Sequence, residues 1–155
     1  MDETGSLNQM DPDNARQGAI LEVLEGLAEL AATTAPDGGA VTVLASMGLF
    51  ATNYREIVGW GDVAGPHLTQ LQNATRQYVV NPARGPETNH ATGLAGAQAA
   101  INAEAAEVGA QACSVVFWFT DGKLDVGPSN DAATAAAERA ALGANFQPEW
   151  GLRRT

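Results

Sequence analysis

Basic residues are scarce. Eight Lys and Arg stand against 18 Asp and Glu, and the 155 residues carry a formal net charge of −10. No basic stripe exists to displace counterions from a phosphate backbone, which argues against a nucleic-acid partner. An anionic membrane surface is disfavoured for the same reason. Cysteine is almost absent: Cys113 alone allows no internal disulfide. Its place in an apolar run reads as a small core residue. No run reaches the ~18 apolar residues that a membrane-spanning helix requires. The opening segment, MDETGSLNQM, has neither the basic nor the apolar region of a secretory signal. G-x-S-x-G, P-loop and G-x-G-x-x-G patterns do not occur. A zinc site needs His and Cys in close pairs, whereas His67, His90 and Cys113 stand apart. A solvent-facing or core histidine is the ordinary reading of each.

What is present is the size of one domain, with an ordinary 45% hydrophobic content. Asp11-Pro12 reads as a helix start, with Asp at the cap and Pro at the first helical position. Ile20, Leu24, Leu27 and Ala31 recur on one face, with Glu22, Glu25 and Glu29 on the other. Ala35-Pro36-Asp37-Gly38-Gly39 stops this helix. Residues 40–47 and 54–60 read as two strands joined by a hairpin connection. Residues 62–80 read as a helix, 83–89 as a loop, and 91–108 as an Ala-rich helix. The run CSVVFWF, residues 113–119, has the continuous apolar character of a strand buried on both faces. Residues 131–142 read as a last helix and 143–155 as an irregular tail. Strands alternating with helices imply an α/β layer architecture.

Three short segments carry candidate chemistry. Asp121 follows the most apolar strand, and ligands collect at the carboxyl ends of strands in open α/β sheets. An Asp-Gly turn is the commoner explanation of Asp121 taken alone. Asp2-Glu3-Thr4-Gly5-Ser6 offers one carboxylate and two hydroxyls at alternate positions, an oxygen set suited to a hard cation such as Mg²⁺. A polar tail is the plainer reading. Thr88 precedes the Ala-rich helix, where a capping role is usual.

In order and context these segments resemble the von Willebrand factor type A domain. The pattern Asp-x-Thr-x-Ser, a helix, a strand pair, a loop threonine before a helix, and an apolar strand ending Thr-Asp-Gly is similar to that family's metal-ion-dependent adhesion site. The resemblance covers roughly residues 2–126, and VTVLASMGLFATNYREIVGW looks like the family's second and third strands. It implies a three-layer α/β fold with a mostly parallel central sheet, helices on both faces and the first strand missing. Residues 1–142 would form the partial domain. It further implies that Asp2, Thr4, Ser6, Thr88 and Asp121 hold Mg²⁺ or Mn²⁺, and that a protein partner offers an acidic residue to the metal.

The sequence departs from the family pattern at several points. Thr4 stands where Ser is usual, which adds a methyl group beside the ion. Asn89 follows Thr88 where Asp is common. Only Met1 precedes Asp2, so an upstream start or a truncated chain is expected, and localisation stays open. The rival reading is a Mg²⁺-dependent hydrolase or phosphotransferase using Asp2 and Asp121. Such an enzyme needs a base and usually a cation for substrate phosphate, and only Lys123 adjoins a proposed ligand. A non-functional fragment is the third reading.

Overall fold

A computed structural model describes residues 1–35, 38–78, 88–108 and 113–120. The element order is α1 (Leu7–Met10), α2 (Ala15–Ala31), β1 (Leu44–Phe50), β2 (Tyr54–Asp62), α3 (His67–Gln77) and α4 (His90–Val108). The expected helix over 131–142, the tail over 143–155 and Asp121 lie outside the described residues.

β1 and β2 form an antiparallel pair running from Leu44↔Asp62 to Phe50↔Tyr54, with irregular register around Met47. The two strands are joined by the short turn at 51–53. β1 alternates between buried and half-buried residues along most of its length, so one of its faces is the more deeply covered. Ala45, Met47 and Leu49 belong to a core shared with Ile20 and Leu24 of α2, Leu71 of α3, Val63, Leu7, Met1 and Tyr78. Gly48 and Phe50 turn the other way, toward α4. There a Cβ on Gly93 would lie 2.7 Å from the Trp118 ring and 2.8 Å from that of Phe50. A Cβ on Gly96 would fall inside the Tyr54 ring, and Tyr54 is itself pressed against Gly48. Trp60 donates from its indole N–H to the Ala100 carbonyl at 3.2 Å. Small residues on α4 thus let the helix approach the ribbon closely.

The parallel central sheet implied by the resemblance is not found. Among the described residues the sheet has two antiparallel strands. An isolated parallel bridge, Asp2↔Phe50, occurs among the described residues. Met1 to Glu3 do lie between β1 and residues 113–120: Glu3 N–H donates to Phe50 O, Phe50 N–H to Met1 O, and Asp2 N–H to Phe119 O, all within 2.9 Å. Residues 113–120 form no regular strand.

This also corrects the expectation that CSVVFWF is buried on both faces. Val115 is 54% and Phe117 48% exposed, and Cys113 is exposed rather than a core residue. Hydropathy identified an apolar segment but not whether both of its faces were covered.

The start of α2 shifts as well. Asn14, at φ 54°, occupies the left-handed region and separates Pro12 from the helix. Asp11 keeps a capping role from outside, accepting from the Ala15 N–H at 2.7 Å and the Arg16 N–H at 3.2 Å. Two of the helix's orphan amides are satisfied in this way.

Candidate metal centre

Residues 1–3 and the turn at 4–6 bring the first segment of the candidate site to the end of β1. Asp2 is 0% and Thr4 1% exposed. One Asp2 carboxylate oxygen, Oδ1, accepts from the Thr4 N–H at 2.9 Å and from the Thr4 hydroxyl at 2.7 Å. A hydroxyl has one proton and two acceptor sites. Since the Thr4 proton goes to Asp2, its oxygen accepts from Ser6 at 3.1 Å and from Thr88 at 3.1 Å. The other carboxylate oxygen, Oδ2, accepts from the Thr120 hydroxyl at 2.8 Å.

Four of the five residues expected from the sequence are therefore joined in one network: Asp2, Thr4, Ser6 and Thr88. Thr88 reaches it from 84 positions along the chain. The ordinary reading of Thr88 as a helix cap does not hold. Asn89 caps α4 instead, accepting from the Thr92 N–H through its side chain at 3.0 Å and from the Gly93 N–H through its carbonyl at 3.1 Å. The Thr88 hydroxyl is left to face Thr4. Its burial, 1% exposed, is that of an interior group. The fifth residue, Asp121, lies outside the described residues, but its neighbour Thr120 meets Asp2 directly.

Glu3, between the first two candidate ligands, points elsewhere. It is 2% exposed and takes a two-pronged contact from Arg55 of β2, at 2.9 and 3.3 Å. A planar guanidinium matches a carboxylate in this fork geometry. The Glu3 carboxylate is thereby paired with Arg55. No lysine or arginine side chain pairs with Asp2 among the described residues.

The histidines have structural partners. A ring nitrogen of His67 lies 2.9 Å from Ala45 O. His90 packs against Phe50 and accepts from the Trp118 indole N–H at 3.3 Å through Nδ1. Among the described residues no group of three or more His, Cys, Asp or Glu side chains could hold a metal. A site made mostly of hydroxyls does not depend on such a group.

Sequence reasoning did not single out Thr120 as a partner of Asp2, although it precedes Asp121. It missed Tyr78 entirely. The Tyr78 hydroxyl donates to the Asp2 main-chain carbonyl. Burial holds its phenol well above the ordinary range, up to about 12; nearby Asp2 and Glu3 push the same way, and Arg16 opposes them. The proton needed for that bond therefore remains in place at neutral pH. Nothing in the local sequence connects positions 2 and 78.

Comparison with protein-family models, with curated proteins and with solved structures finds no match to this chain.

Proposed function

We propose that this chain holds one divalent cation, Mg²⁺ or Mn²⁺, at Asp2, Thr4, Ser6, Thr88 and Asp121, and uses it to bind an acidic residue of a protein partner. The supporting observation is the convergence of Asp2, Thr4, Ser6 and Thr88 in one buried oxygen cluster. An ionised carboxylate removed from water is costly unless its charge is compensated. Hydroxyls and one amide supply part of that compensation at Asp2. A hard cation, which prefers oxygen ligands and retains waters readily, suits such an oxygen set. Two carboxylates and three neutral hydroxyls would fill five positions of an octahedral ion and leave one coordination position for a carboxylate of the partner. The resemblance to the adhesion-site pattern supports the same reading.

Binding rather than turnover is the role proposed. Among the described residues Arg16 and Arg55 are each engaged by a carboxylate, Asp11 and Glu3 respectively, and Arg76, in the last turn of α3, is not part of the hydrogen-bonded cluster at Asp2. Among the described residues no helix is long and apolar enough to cross a membrane. A protein partner met through its acidic side chains is what the resemblance implies, and it is proposed on that ground.

The test is an array of short peptides bearing Asp or Glu, probed with the chain in Mg²⁺, in Mn²⁺ and in excess chelator. Retention on acidic peptides is expected with either cation, and loss is expected in chelator and on the matching Asn or Gln peptides. Retention that survives chelation would assign binding to a metal-independent surface and contradict the proposal.

A further inference from the structure

Beyond the proposed ligands, we infer that Tyr78 is a positioning residue for the Asp2 site, acting through the Asp2 main-chain carbonyl and held in place by α2. The inference rests on the cation reading above and adds a residue that makes no direct contact with the ion.

Asp2 is fixed on one side by its N–H bond to Phe119 O at 2.8 Å, and by the bond from the Glu3 N–H to Phe50 O at 2.9 Å. Its own carbonyl is bound by the Tyr78 hydroxyl. In an extended segment the N–H and C=O of one residue point to the same edge. The Tyr78 hydroxyl is thus a donor to this carbonyl from outside the two segments that flank Asp2. With both main-chain groups of Asp2 tied, the direction of its Cα–Cβ bond is set, and so is the place of the carboxylate.

Tyr78 is held in turn. It is 5% exposed and follows α3 directly. The Gln17 side-chain amide donates to Tyr78 O at 2.7 Å, and the Arg16 guanidinium lies over its ring, 5.2 Å from the centroid. Arg16 is anchored by Asp11 at 2.7 Å. Two successive residues of α2 thus grip Tyr78 by its main chain and by its ring. Outer partners of this kind orient metal ligands without touching the metal.

The experiment is a calorimetric titration of Mn²⁺ into the full chain, its Tyr78→Phe variant and its Gln17→Ala variant. Tyr78→Phe keeps the ring and removes one hydroxyl. A single hydrogen bond corresponds to about a threefold to tenfold change in affinity, and weakening of that size is expected. A purely structural Tyr78 would lower the melting temperature in chelator while leaving Mn²⁺ affinity unchanged, and that result would overturn the inference. Gln17→Ala, which spares the hydroxyl, is expected to weaken binding by about twofold to tenfold, the scale of one net hydrogen bond, through a loosened Tyr78 main chain. If Tyr78→Phe does not fold, unchanged affinity in Gln17→Ala overturns the inference. Absence of Mn²⁺ binding in the unaltered chain would remove the cation reading and this inference together. Binding in the unaltered chain with none of the expected losses would remove this inference alone.

Discussion

Asp2→Asn is expected to lower Mn²⁺ affinity at least ~100-fold, because loss of a direct anionic ligand should exceed the effect of removing an outer partner. Calorimetry at pH 7 reads this directly. The same substitution is expected to change stability in chelator by no more than about 1 kcal/mol, the scale of one net hydrogen bond. The amide oxygen of Asn can still accept from the Thr4 hydroxyl, and its NH₂ can donate to Thr120 Oγ1, an oxygen that now donates to Asp2. The two readouts together separate a cation ligand from a purely structural carboxylate. A variant that binds Mn²⁺ as the original does would remove Asp2 from the site. Asp121→Ala is expected to weaken binding in the same assay, a proposal that rests on its sequence position after Thr120.

Gly96→Ala is expected to destabilise the fold by about 2 kcal/mol, a cost typical of inserting a methyl group into a filled interior. Helix propensity alone predicts the opposite sign, since Ala is favoured over Gly in a helix interior by about 1 kcal/mol. Overlap decides the outcome. The new Cβ would enter the Tyr54 ring, and the ring cannot retreat because Gly48 backs it. Gly18 and Gly26 of α2 provide the control: nothing lies within 4 Å of a Cβ built at either. Ala at those positions is expected to stabilise by about 0.5–1 kcal/mol each. Urea unfolding of the three variants checks both signs. Stabilisation by Gly96→Ala would show that α4 does not pack against β2 as described.

Short-range signals placed the elements better than their ends: the strand expected over 40–47 is Leu44–Phe50, and the helix expected over 62–80 is His67–Gln77. The paired strands, the Ala-rich helix and the apolar face of α2 are properties of periodicity, and Ile20 and Leu24 are buried as their spacing implies. The boundaries moved where one residue's conformation intervened, as at Asn14. Sheet topology was not legible, because an apolar run such as residues 113–119 looks the same whether one face or both are covered. The parallel sheet was inferred from resemblance, and the antiparallel pair corrects it. The proximity of Asp2, Thr4 and Ser6 follows from alternate oxygens in one turn, whereas Thr88, 84 positions from Thr4, entered the set only through the resemblance. Tyr78 was not legible, because its bond to Asp2 spans 76 positions and leaves no local signature.

The most direct measurement of the central claim is amide line broadening by substoichiometric Mn²⁺ in the full chain. A paramagnetic ion bound among Asp2, Thr4, Ser6 and Thr88 would broaden the amide signals of residues 2–6, 88 and 120 first. The exposed acidic face of α2, formed by Glu22, Glu25 and Glu29, is the natural competitor for nonspecific cations in a chain of net charge −10. Broadening confined at first to residues 2–6, 88 and 120 is the expected result. Broadening that begins at Glu22, Glu25 and Glu29, or that spreads evenly over the chain, would contradict the assignment of a cation site to Asp2.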